Sequence, residues 1–97
     1  MIEYRFLSAA EMGMIDAAKY YEAESPGLGK RYLTDGLQTI EKLCQFPKVG
    51  RALTSQVRSM LVSRFPYSLT YYETAESIVI VAVTHHSRRS EYWKGRL

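Results

Sequence analysis

The side chains of this sequence best equipped for chemistry crowd towards one end. His85 and His86 are followed at once by Arg88, Arg89, Tyr92, Trp93 and Arg96. Imidazoles titrate near neutrality and guanidiniums hold phosphates or carboxylates, so this group could move a proton beside an anion or grip an acidic partner. Two further arginines, Arg58 and Arg64, fall at intervals along an extended stretch and could bring charge to the same surface. Adjacent histidines in a strand point to opposite faces, so His85 and His86 cannot serve one site while the strand persists. A plain alternative for His85 is a hydrogen bond to a backbone carbonyl at a strand end. No metal site is expected, since neither a cysteine nor a third histidine lies near. No cofactor is expected either: Pro26-Gly-Leu-Gly29 lacks the phosphate-loop spacing and follows a helix.

What must position these residues is the run before them. Ile78 to Val83 is apolar, β-branched and too short for a membrane helix, which predicts a strand covered on both faces and placed centrally in a sheet. Ile2 to Leu7 alternates as a first strand. Ser8-Ala-Ala-Glu11 then reads as a capping box opening a helix with Ala10, Met14, Ala17, Ala18 and Tyr21 on one face. Pro26 stops it near Ser25. A second helix runs from Leu28 to Gln45 with a stripe of Leu33, Leu37, Ile40 and Cys44, and mid-helix Gly36 is expected to allow a close neighbour. The turn between the helices is short, so they should form an antiparallel hairpin. After Phe46-Pro47-Lys48-Val49-Gly50, strands are expected over Gln56–Arg64, Leu69–Glu73 and Ile78–Thr84, joined as an antiparallel meander. The expected fold is α+β, in the order β-α-α-β-β-β, with the helical hairpin on one face of an antiparallel sheet.

Ninety-seven residues bound this to a single domain, 1–97. The apolar fraction of 46% and charged fraction of 24% are those of an ordinary globular protein without a membrane span. One cysteine, Cys44, rules out an internal disulfide and fits a reducing cytoplasm. Residues 1–46 carry seven acids against five bases, whereas residues 47–97 carry eight bases against three acids. Such segregation points to an acidic or polyanionic partner for the second half, or to a solvated basic surface. Arginines beside Tyr67, Tyr72, Tyr92 and Trp93 could hold a phosphodiester backbone and stack bases, or dock an acidic peptide.

Several of these features form an ordered set. Tyr21, Pro26-Gly-Leu-Gly29, Phe46-Pro47-x-x-Gly50, Arg58, Arg64-Phe-Pro-Tyr67, His85-x-x-Arg88 and Tyr92-Trp93-x-x-Arg96 together resemble the RelE/ParE superfamily of type II toxin–antitoxin toxins. The resemblance spans nearly the whole chain and implies the same β-α-α-β-β-β layout. It implies a cytoplasmic growth inhibitor in a hetero-oligomer with a cognate antitoxin. RelE-like members cleave mRNA on the ribosome without a metal; ParE-like members poison DNA gyrase. For the first activity the resemblance offers His85, Arg58, Arg64 and Arg88 as catalytic candidates. For antitoxin or target contact it offers Arg58, Arg88, Arg89, Tyr92, Trp93 and Arg96. The chain has no RelE-type lysine pair after its second helix and no acid between Glu41 and Glu73. These departures favour the ParE-like branch over an mRNA endonuclease; a non-toxic relative that keeps only antitoxin binding is the third possibility.

Overall fold

The apolar run forms an interior strand. In a computed structural model, which describes residues 2–86 and Gly95, β5 spans Ser77–His85 and is buried without interruption from Ile78 to Thr84. The preceding elements are β1 (Glu3–Phe6), α1 (Ser8–Glu24), α2 (Leu28–Gln45), β2 (Arg51–Ala52), β3 (Val57–Leu61) and β4 (Tyr67–Glu73). They build one sheet in the order β1-β5-β4-β3-β2. The expected meander β3-β4-β5 is antiparallel, as is β2 on β3. The fold is therefore α+β with a mostly antiparallel sheet. Two details go beyond the sequence reading. β1 lies parallel to β5, with Glu3 opposite Ser77 and Phe6 opposite Ile80. A two-residue strand, β2, extends the far edge.

The helical hairpin covers one face. Ala10, Met14, Ala17 and Ala18 of α1 pack with Tyr32, Ile40, Leu43 and Cys44 of α2 against Leu69, Tyr71, Ile78, Ile80 and Val83. Burying each larger aliphatic side chain contributes about 1.5–3 kcal/mol. A smaller cluster of Val57, Val81 and Ala82, with Leu7, Leu53 and Tyr72 against it, occupies part of the opposite face. A β-bulge explains why Val81 and Ala82 belong to the same cluster. Thr70 pairs with Ala82 and Tyr71 with Ile80, so Val81 is an extra residue and alternation slips by one.

Three local expectations are corrected. The Ser8–Glu11 capping box does not form, because Ser8 is already inside the helix and Leu7 is the N-cap, without a side-chain cap. Leu7 is committed to the sheet: its N–H donates to the Ile80 carbonyl at 2.9 Å while its own carbonyl accepts from Glu11 at 3.0 Å. The chain passes from sheet to helix with no residue to spare for a cap. The stripe of α2 is rotated from the expected one. Leu33 and Leu37 are exposed, and Gly29, Tyr32, Gly36 and Thr39 are buried beside Ile40, Leu43 and Cys44. Tyr32 enters an aromatic cluster under the sheet end, and this sets the helix's rotation. Finally, the strand expected to reach Arg64 stops at Leu61; Val62 N–H donates to Tyr67 at 2.9 Å, and Arg64 sits in the turn beyond with φ of 69°.

The helix junction has its own cap. Glu22 of α1 accepts from Gly27 N–H at 2.9 Å through Oε2 and from Gly29 N–H at 3.1 Å through Oε1. A carboxylate thus satisfies donors at the start of α2, where the helix dipole favours negative charge.

Candidate functional site

The loop leaving α2 is held by two strands. Tyr71 on β4 is fully buried, and its hydroxyl donates to the Pro47 carbonyl at 2.7 Å. The same oxygen accepts from Gly50 N–H at 3.0 Å. Burial keeps this phenol protonated by raising its pKa above the ordinary value, although the Gly50 hydrogen bond and the Arg58 charge act the other way. Arg58 on β3 donates through one guanidinium nitrogen to the carbonyls of Gly50, at 2.8 Å, and Lys48, at 3.2 Å. Arg58 stands opposite Tyr71 in the register and shares its face, the one the helices cover. It therefore does not reach the open face, because its guanidinium closes the loop instead. Lys48, the neighbouring base, pairs with Glu73 at 3.5 Å on an exposed surface.

A second group gathers at the other end of β4. Tyr21, Tyr32, Phe65 and Tyr67 meet mostly edge to face at centroid separations of 5.0–6.0 Å. His85 closes the group, its ring perpendicular to that of Tyr67 at 5.1 Å. Burial pushes the Tyr32 phenol far above its ordinary pKa, and burial raises Tyr21 as well. The Tyr32 hydroxyl and Asp35 Oδ2, one turn apart on α2, are buried without a hydrogen-bond partner among the described residues. His85 is half-buried, and one side of its ring is covered by Tyr67.

The histidines separate as alternation requires. His86 takes the opposite face, its Nε2 3.4 Å from the Ser68 hydroxyl, while its backbone N–H donates to the Pro66 carbonyl at 2.9 Å. There it borders, with His85 and Leu53, a shallow groove of about 180 Å³. Ser59, Ser68, Thr70 and Thr84 form the groove's floor across β3, β4 and β5, and Arg51 of β2 stands at its rim. The register places these side chains together: Ser59 opposes Thr70 and Arg51, and Ser68 opposes Thr84. The open face thus has an apolar half, around Val57, Val81 and Tyr72, and a hydroxyl-lined half.

Of the expected site residues, the three that are described lie apart from one another. Arg58 supports a loop, Arg64 occupies an exposed turn, and His85 joins an aromatic cluster. Arg88, Arg89, Tyr92, Trp93 and Arg96 lie outside the described residues. His85 and His86 both line the groove, and His86 is itself exposed. The signal for the groove was present in the hydroxyls of Ser68 and Thr70, two apart in β4, and of Ser59 in β3. Pairing Arg51 with them required the short β2, which has too few residues for a periodic pattern. Among the described residues no three His, Cys, Asp or Glu side chains cluster to hold a metal, and no helix is long and apolar enough to cross a membrane.

Comparison with known proteins places this arrangement. Residues 4–90 match the family model described as the ParE toxin of the type II toxin–antitoxin system parDE. A solved structure of the chromosomal ParDE TA system from P. aeruginosa superposes with a TM-score of 0.75 at 17% identity, over 88% of this chain and 96% of the other. No curated protein matches the chain.

Proposed function

The chain belongs to the ParE toxin family of type II toxin–antitoxin systems, and from that membership we propose that it is the toxin of such a pair, neutralised by a cognate antitoxin and directed against DNA gyrase in the cytoplasm. The observation that carries the reading is the family match, which runs through every helix and strand of the domain. The placement of Arg58 supports the gyrase branch over mRNA cleavage. A ribonuclease needs a proton acceptor and cations converging on one phosphate. Here the Arg58 guanidinium is turned to the Gly50 and Lys48 carbonyls, away from the groove that the two histidines line.

The test is expression alone and with the antitoxin, followed by two assays on purified protein. The expected outcome is growth arrest relieved by the antitoxin, inhibition of gyrase supercoiling, and intact mRNA in a translation reaction. Ribosome-dependent mRNA cuts that disappear in His85→Ala would overturn the gyrase assignment. Soluble protein without growth arrest would overturn toxicity and leave an antitoxin-binding relative.

A further inference from the structure

The described sheet has two outer edges, and they are finished differently. β2 ends one side after two residues, too short to template another strand. β1 ends the other with four residues, of which Glu3, Tyr4 and Arg5 are exposed. Leu7 N–H donates to the Ile80 carbonyl of β5 at 2.9 Å, and along a parallel pair successive residues alternate in the side to which they bond. Glu3 and Arg5 therefore bond towards β5, whereas the backbone groups of Tyr4 and Phe6 point outward, where no described strand lies. Ile2 obeys the same alternation, its N–H leaving the sheet for the Cys44 carbonyl at 3.4 Å. The side chains add a second constraint. Phe6 packs with the core under the helices and Leu7 with the cluster on the open face, so Glu3 and Arg5 share the open face. Neither makes an ion pair or a side-chain hydrogen bond among the described residues. An edge guarded by lysines repels its own copy. This one carries an acid and a base two residues apart.

We propose that β1 pairs antiparallel with β1 of a second copy of this chain, about a two-fold axis at Tyr4. Two independent requirements select that register. Tyr4, with its N–H and C=O on the free edge, stands opposite its counterpart and exchanges two hydrogen bonds with it. Only with Tyr4 on the axis does Glu3 of each copy face Arg5 of the other. Those two positions are then non-hydrogen-bonded pairs, in which facing side chains come closest. The surface is thus complementary to itself, as a two-fold interface must be. A strand this short buries less than the roughly 1,200 Å² of a standard interface, so the dimer is weak, with a Kd on the order of 100 μM. The inference does not rest on the toxin reading, which concerns other partners.

The experiment is analytical ultracentrifugation and amide-resolved NMR of the full chain alone, from about 10 μM to about 1 mM. A monomer–dimer equilibrium is expected, with concentration-dependent shifts centred on the Tyr4 and Phe6 amides. Glu3→Arg and Arg5→Glu each set like charges across the axis and should weaken self-association by about tenfold or more. Mixed in equal amounts, the two single variants should associate with each other. The double variant, Glu3→Arg with Arg5→Glu, should recover the parental affinity to within about threefold. Both positions are exposed, so thermal melts should show every variant folded. The shift map of the parent needs no variant at all. A monomer throughout the range, association indifferent to the charge changes, or shifts centred on the helices would each overturn the proposal. An edge that serves a cognate antitoxin instead would show antitoxin affinity, and not self-association, following these charges; that result would overturn it too.

Discussion

The Tyr71 hydroxyl lies 3.0 Å from Gly50 N, in the place a side chain at position 50 would need. An added Cβ would meet both that oxygen and the Ser59 carbonyl. The loop's glycine and the strand's tyrosine therefore define each other. Gly50→Ala should destabilise the protein by about 1–3 kcal/mol through overpacking. Tyr71→Phe should cost a similar amount, about 1–3 kcal/mol, because buried groups at Gly50 and Pro47 lose their partner. Urea unfolding of the two variants, and a double variant that is less than additive, would check the coupling.

Arg58 provides a sharper discrimination between support and recognition. Arg58→Met keeps the apolar stem but abandons the Lys48 and Gly50 carbonyls. Stability should fall by about 1–2 kcal/mol, while antitoxin affinity of the folded protein changes by less than about threefold. Calorimetric titration beside thermal unfolding reads both quantities. A large affinity loss at unchanged stability would make Arg58 a contact residue instead.

At Gly29 the helices meet through backbone, and an added Cβ would collide with the Ala18 carbonyl. At Gly36 the only close obstacle is the terminal methyl of Met14, a flexible group that can turn aside. Gly29→Ala should therefore be destabilising by about 1–3 kcal/mol. Gly36→Ala should lie within about 1 kcal/mol of the parent, since helix propensity gains what the methionine must give up. Thermal melts of the pair settle the ordering.

Alkaline pH should unfold the protein through its buried phenols. Tyr21, Tyr32 and Tyr71 all titrate above the ordinary value in the native state, chiefly because burial disfavours the phenolate. Unfolded tyrosines ionise near pH 10. Below that pH the contribution of these groups is intact; above it the unfolded chain releases protons the native one retains, so stability falls. Tyr32→Phe should flatten this fall. At neutral pH it should be neutral or mildly stabilising, because it removes a buried hydroxyl without a partner among the described residues. Denaturation midpoints measured from pH 7 upwards would reveal both effects.

Arg64 carries a backbone conformation that favours glycine. Arg64→Gly should relieve it and stabilise by up to about 1 kcal/mol, less the extra freedom of the unfolded chain. A clear loss of stability would mean that the side chain itself anchors the turn.

How far the sequence could be read depended on the range of the interaction involved. Ile78–Val83 and the span of α2 were legible because composition and punctuation are local: β-branched residues in a row, and Pro-Gly before Leu28. The rotation of α2 was not, since Leu33 and Leu37 make as good an apolar stripe as Tyr32, Gly36 and Leu43. Only the aromatic partners Tyr67 and Phe65, more than thirty positions onward, decide between them. Arg58 shows the same limit. Its place in the ordered family set was visible, but its carbonyl partners depend on how the loop folds back. The opposite facing of His85 and His86 followed from alternation alone. That both line one groove did not, because the groove depends on the pairing of β4 with β5.

The parallel pairing of β1 with β5 has a consequence for the order in which the molecule can come into being. Glu3–Phe6 are made first, yet their sheet partners are Ser77–Ile80. The strand that joins β1 to β4 is the final strand of the described chain, and α1 also packs against it. Local hairpins and helices can form during synthesis, but the core they share stays open until β5 arrives. Contacts so distant along the chain make loop closure costly and folding slower than in a helical bundle. A ribosome that has made β1 to β4 therefore still carries a chain without its completed fold. Such a chain lacks the assembled hydroxyl groove and the aromatic cluster, and it acquires both in one late step.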